Sequence, residues 1–365
     1  MFQTNSIDWK ACGRLGRTLF LGSAVAMMTP CLAPAQGADV AAAEAEGQVS
    51  VYVLWLTDTV SSVTGAFKKK YPNIEVEFYR NGGPLVAERF RSEFNASGHS
   101  ADIISLDPAE LERFASADMI VPYKSPEADH FPDWARSDKD LWTGFFSYTN
   151  GHIVNTNVFP DKETWPKDWA DFAHPRAEWK GKVCTGDIRV ASHTFNNLAA
   201  INQHYGAEGD EGVWAQYGGL VDSDVRIYTG APQARELVAS GECPLIHQIP
   251  FHNFVSVAEA GAPVAWIVPK EGMIPVPQAV AIAANAQHPN AAKLFYDFLL
   301  SEDGQAAIGR NHLAPLRDDA SDEWWPDGIG LPPVKDAKIM PFDQVAADAA
   351  RTELLEHGSQ VLGLN

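Results

Sequence analysis

The feature that most constrains this chain is a serial alternation of short apolar strands and amphipathic helices beginning at Val49. Val49 to Trp55 reads as a strand. Val60, Val63 and Phe67 recur at helical spacing, and Lys68, Lys69 and Lys70 follow where positive charge complements the helix dipole. Pro72 stops that helix. Ile74, Val76 and Phe78 alternate with Glu75 and Glu77, as in a half-buried strand. Pro84 opens a second helix with Leu85, Val86, Phe90 and Phe94 on its apolar face. Ile103 to Leu106 predicts a short strand, and Asp107-Pro108 an N-cap followed by proline at the first helical position. Strand–helix units in series give a parallel sheet with helices packed on it.

The pattern resumes further along. Val225 to Tyr228 reads as a strand, Pro232 to Ala239 as a helix, and Gly241-Glu242-Cys243 as a tight turn. Val276 to Ala284 reads as a buried strand. In His288 to Gln305, Pro289 takes the first turn, and Ala291, Leu294, Phe295, Phe298 and Leu299 form one apolar helical face. Gln36 to Gly47 is expected to be a loose leader, Glu323 to Pro333 a surface loop, and Val345 to Leu362 a terminal helix. The 365 residues suffice for two domains.

Lys10, Arg14 and Arg17, the apolar run Thr18 to Met28, and Ala33-Pro34-Ala35 follow the order of a cleavable secretory signal, giving a signal peptide over 1–35. The run is shorter than the ~20 residues a membrane span needs. Cys31 follows Pro30, which argues against lipidation. The formal charge is −19, and removing the net +2 of Lys10, Arg14, Arg17 and Asp8 leaves −21. That acidity argues against nucleic acid and anionic membranes as partners, but permits a locally positive pocket. Cys184 and Cys243 remain after cleavage, and an oxidising compartment favours a disulfide between them over a metal site, since neither has a CxxC partner.

Ligands in open parallel sheets lie beyond the carboxyl ends of the strands. That rule selects Trp55, Thr57 and Asp58 after the first strand, Asn81, Gly82 and Gly83 after the second, and Asp107 after the third. It also selects Ser192, His193 and Thr194, and Thr229, at two later helix starts. Each is equally at home as a helix cap or turn. Asn81-Gly82-Gly83 and Ser192-His193-Thr194 are expected to face each other as an anion cradle, with the glycines free to take positive φ. Tyr148, Phe251 and Trp266, with Trp55, are candidate aromatic walls or plain core. His247 and His252 flank Pro250-Phe251 at a spacing of five, which does not suit a helical metal pair.

The strand–helix pairing of Val276 to Gln305, the segment FFSYTNGHIVNTNV from Phe145 to Val158, WKGKVC ending at Cys184, and the GEC turn at Gly241 to Cys243 resemble the bacterial extracellular solute-binding proteins of ABC importers. The likeness is to the ferric-binding, phosphonate-binding and sugar-phosphate-binding cluster. It implies an α/β, two-lobed periplasmic binding protein of type II, each lobe a mostly parallel sheet flanked by helices. Hinge strands would cross near Tyr148–Asn150 and Pro275–Val280. The implied lobes are 48–147 with 269–320, and 148–268 with 321–365. It implies a periplasmic monomer that catalyses nothing, needs no cofactor, and hands a small solute to an inner-membrane permease.

Ferric-binding relatives carry adjacent tyrosines after the GEC strand. Here Phe251 and His252 stand there, and Leu56 stands near the place of their first-strand histidine. The expected solute is therefore a small anion such as a phosphonate or phosphate ester. Ferric iron or an iron chelate is the alternative on the same fold. A secreted hydrolase is the alternative from another class, although the chain has no G-x-S-x-G, H-E-x-x-H, S-x-x-K or P-loop motif.

Overall fold

The computed structural model describes residues 37–364, apart from 98–99, 191, 321–337 and the side chains of Ser97 and Ser192. The expected signal peptide over 1–35 and the expected loop over 323–333 thus lie outside the described residues. The first described element corrects an expectation. The leader is a capped helix, α1 (Val40–Glu46), not a loose segment. Asp39 accepts from the Ala42 N–H, Gly47 ends the helix at φ 74°, and Ala43 is fully buried. Glu46 accepts from the N–H groups of Asn290 and Ala291, pinning the leader to a distant helix start where a carboxylate is favourable. An alanine-rich heptapeptide has no apolar stripe, so periodicity could not reveal it.

Then come β1 (Gln48–Val53), α2 (Thr57–Lys70), β2 (Glu75–Arg80), α3 (Gly83–Ser97), β3 (Ile103–Leu106), α4 (Pro108–Ser116), β4 (Ile120–Val121) and β5 (Thr143–Ser147). A second group follows with β6 (Asn150–Asn155), β7 (Val183–Gly186), α5 (Ser192–Tyr205), α6 (Val213–Asp222), β8 (Arg226–Tyr228), α7 (Ala231–Ser240), β9 (Leu245–Pro250), α8 (Phe251–Glu259) and β10 (Val264–Ile267). The chain returns through β11 (Pro277–Ala283), α9 (Pro289–Leu300), α10 (Glu302–Gly309) and β12 (Ala314–Pro315). It ends with α11 (Gln344–Ala349) and α12 (Arg351–Leu362), so the expected terminal helix is broken at Ala350.

Two sheets result. The first runs β12-β5-β11-β3-β1-β2 with β4 beside β11; the second runs β10-β6-β9-β7-β8. β1 is parallel to β2 and β3, and β7 to β8 and β9. β11 runs antiparallel to β3, β4 and β5, and β6 antiparallel to β9 and β10. Each sheet is therefore mixed, not mostly parallel. Helical crossovers make β1, β2 and β3 parallel, and likewise β7, β8 and β9, whereas β6 and β11, by which the chain enters a sheet after each crossing, run against them.

Helices bury their apolar faces on both sheets. Phe67 of α2 meets Phe295 and Phe298 of α9 edge-on, with centroids 5.0 and 5.2 Å apart. Ser301 ends α9 and caps α10, whose Gly304 lies so close that a Cβ would fall 2.0 Å from the Phe298 carbonyl oxygen. In the second sheet the disulfide Cys184–Cys243 joins β7 to the turn before β9, closing a loop with a sequence separation of 59. Between the sheets the chain crosses at Tyr148–Asn150 and again at Ile274–Val276. The crossings pair: Tyr148 N–H donates to Val276 O at 3.1 Å, Val276 N–H to Tyr148 O at 3.2 Å, and Asn150 N–H to Ile274 O at 2.9 Å.

Candidate functional site: the cleft between the sheets

A cleft of about 590 Å³ opens where the two sheets face each other beside the crossings. That lies within the usual range for small-molecule sites of ~300–1,000 Å³. Helix starts line it from both sides: Gly83 and Pro84 of α3, Asp107 before α4, His193 of α5, Ala231 of α7, and His252 and Asn253 of α8. First-turn N–H groups lack helical partners, so each start presents donors and the positive end of a dipole. The strands put these starts together because both sets of parallel strands end at the cleft.

Five of the expected site residues line this space: Gly83, Asp107, Tyr148, His193 and His252. The rings of Tyr148 and His252 lie 5.5 Å apart beside the hinge. Burial pushes His193 down to about 4. Burial, helped by His193, Arg235 and His312, pushes His252 down to about 3. Both imidazoles are therefore neutral near pH 7, and each offers one N–H and one acceptor. Burial raises Tyr148 above the usual tyrosine range, against the charge of Arg80. Burial also raises Asp107, although its carboxylate accepts the Glu110 N–H.

The other expected residues are not among those lining the cleft. Trp55 is fully buried in the first core, its indole N–H donating to Ser105 Oγ at 2.9 Å. Thr57 and Asp58 are exposed in the first turn of α2. Asn81 bonds locally, its Nδ2 donating to the Tyr79 hydroxyl and its Oδ1 accepting from Gly82 N–H. Gly82 is exposed. Neither Gly82 nor Gly83 has a positive φ, and a Cβ at Gly83 would make only ordinary contact, 3.4 Å from Leu54 Cδ2. The supposed need for glycine at these positions is corrected accordingly. Thr194 is fully buried and donates to the Asp187 carbonyl at 2.8 Å. Thr229 is exposed and bonds to Gln233. Phe251 packs into the second core against Phe254 and Trp266. The Ser192 side chain lies outside the described set.

Sequence reading missed several lining residues. Gln278 comes from β11, Asn253 from α8, and Gln344, Asp348 and Arg351 from the two terminal helices. Arg113, Arg189 and Arg351 bring positive charge, but carboxylates already hold them. Arg113 pairs with Glu110 and Asp348, Arg351 with Asp348 at 3.0 Å, and Arg189 with Asp187 at 2.9 Å.

Comparison with known proteins decides the class. The family model for bacterial extracellular solute-binding proteins matches residues 99–339. The chain belongs to this family. As a solute-binding protein it is the substrate-binding component of an ABC importer, and it captures a small ligand without transforming it, which sets aside the hydrolase alternative. It is 29% identical over 276 residues to an uncharacterised protein of Haemophilus influenzae, covering 72% of this chain and 75% of that one. It is 24% identical over 252 residues to Iron uptake protein A1 of Synechocystis, covering 66% of this chain and 67% of that one.

Among solved structures it resembles iron-bound HitA from Pseudomonas aeruginosa, with 21% identity, a TM-score of 0.69, and coverage of 85% of this chain and 99% of that one. It also resembles AfuA from Actinobacillus pleuropneumoniae with fructose-6-phosphate bound, with 20% identity, a TM-score of 0.68, and coverage of 87% and 99%. The solute-binding protein therefore has the two-lobed periplasmic fold. Among its described residues no helix is long and apolar enough to cross a membrane.

Proposed function

We propose that the solute is a small anion, such as a phosphonate, a phosphate ester or a carboxylate, held in the cleft between the sheets. One observation carries this reading: the starts of α3, α5, α7 and α8 converge on one space from both sheets. Converging N–H groups and dipoles suit an anion, and neutral His193 and His252 add donors without a desolvated charge. The proposal includes lobes of 48–147 with 269–320 and 148–268 with 321–365, export to the periplasm with loss of the first 35 residues, and a monomer serving one permease. A ligand touching both lobes favours the closed form through its differential affinity for the two states.

Ferric iron is the second reading, favoured by the relatives whose names carry iron. Against it, Tyr148 is the one tyrosine among the described cleft-lining residues. Melting the mature protein against phosphonates, phosphate esters, organic acids, polyamines and ferric chelates tests the choice. Stabilisation by an anion, lost in His193→Ala or His252→Ala, supports it. Stabilisation by ferric chelates or polyamines alone removes it.

A further inference from the structure

Arg235 of α7 differs from the arginines that line the cleft. Arg113, Arg189 and Arg351 are each held by carboxylates, whereas Arg235 forms no ion pair among the described residues. Half-buried, it donates from Nη1 to the side-chain oxygen of Asn253 at 2.6 Å. Asn253 lies in the first turn of α8, is 1% exposed and lines the cleft. Its Nδ2 is 3.2 Å from the Pro250 carbonyl oxygen and 3.1 Å from His252 Nε2.

These contacts determine where the protons lie. A guanidinium only donates, so the Asn253 atom facing it is the oxygen. A carbonyl only accepts, so the atom facing Pro250 is the amide nitrogen. The amide is thus oriented from both ends, and its two hydrogens serve Pro250 and His252. Facing an N–H, His252 Nε2 is the bare nitrogen of the ring. Burial first, then His193, Arg235 and His312, hold that ring neutral. A neutral imidazole carries one proton, and the partner of one nitrogen fixes the state of the other. The proton is therefore on Nδ1, which has no hydrogen-bond partner among the described residues, and His252 lines the cleft.

We propose that Arg235 is a positioning residue that acts through Asn253 to fix His252 in the tautomer protonated on Nδ1, so that the cleft offers any solute one predetermined N–H at that edge. The inference does not depend on which solute binds. A ring free to hold either tautomer loses affinity in proportion to the fraction wrongly protonated. The Arg235–Asn253 contact removes that loss before the solute arrives.

Long-range proton–nitrogen correlation spectra of the ligand-free mature protein, carrying nitrogen-15-labelled histidine, read the tautomer directly. The His252 signals are those lost in His252→Gln. At pH 7 the parent should show a protonated Nδ1 and a bare Nε2. Asn253→Asp places an acceptor opposite Nε2 and should move a proton there. Arg235→Met frees the amide to turn over, and the two nitrogen shifts should draw together as both tautomers are populated. A mere packing role for Arg235 would lower the melting temperature and leave the tautomer as it was. A parent with Nε2 protonated overturns the proposal, and so does the parent pattern persisting in either variant. Should one variant fail to fold, the other carries the test. No solute is present, so failure here leaves the anion reading intact, and loss of that reading leaves this inference standing.

Discussion

Arg113 on α4 and Asp348 on α11 form an ion pair that joins a helix of the first sheet to the terminal segment packed against the second. Glu110 holds the other side of the Arg113 guanidinium, and Arg351 donates to the second Asp348 oxygen at 3.0 Å. All four residues line the cleft. The pair therefore bridges the cleft.

Asp348→Asn should loosen that bridge. Arg113 is 48% exposed, so water screens the pair, and its contribution is at most about 1 kcal/mol. Solution scattering of the ligand-free variant should show a larger radius of gyration, and the dissociation constant should rise by up to about fivefold. An unchanged scattering profile and an unchanged affinity would remove the latch.

The disulfide offers a larger effect. Cys184 and Cys243 close a loop with a sequence separation of 59, worth about 4 kcal/mol in the chain-entropy account. Peptide mapping without reductant should recover the two cysteines joined, and reduction should lower the melting temperature by several degrees. Recovery of two free thiols from exported protein would contradict this.

The paired histidines of the second core predict an acid limb in the stability curve. His152 and His247 are fully buried, their rings stack at 5.9 Å, and each Nε2 lacks a partner among the described residues. Burial lowers His152 to about 4. Burial, then the charge of His152, lowers His247 well below its ordinary value. In the unfolded chain both titrate near ~6.5. The unfolded state thus takes up protons first, so the contribution is full above that value and is lost as pH falls toward the folded value. Melting temperature should drop between pH 7 and pH 4.5, and less steeply in His152→Gln. Parallel curves for parent and variant in that window would show that the pair does not set the limb.

Much of this fold is legible in the sequence because strand and helix periods leave separate marks. β3 begins and ends where its apolar run does, and Asp107-Pro108 starts α4 as cap and first residue. The site was harder to read. The strand-end rule places a loop, not the direction of a side chain. Trp55 turns inward to Ser105, and Thr194 turns back to its own turn at Asp187. Gln278 did leave a signal, as a lone amide within the otherwise apolar strand Pro277–Ala283. Gln344, Asp348 and Arg351 left none, because only tertiary packing brings the terminal helices to the cleft.

Iron provides a colour test. Phe251 is packed in the core and His252 is neutral and half-buried, so no adjacent pair of phenolates faces the cleft. Ferric citrate added to the mature protein should produce no tyrosinate-to-iron absorption in the visible range. A strong band that fades in Tyr148→Phe would establish iron as the cargo instead.

The central claim is that one small anion lies between the two sheets and touches both. Crystallising the protein with the tightest binder from the anion series measures this most directly. The account predicts ligand density in the cleft, with the anionic group within hydrogen-bond distance of His193 or His252 and the chemically intact molecule reaching the first-sheet wall. Density confined to one lobe or to the outer surface, or a ferric ion held by Tyr148 and carboxylates, would contradict it.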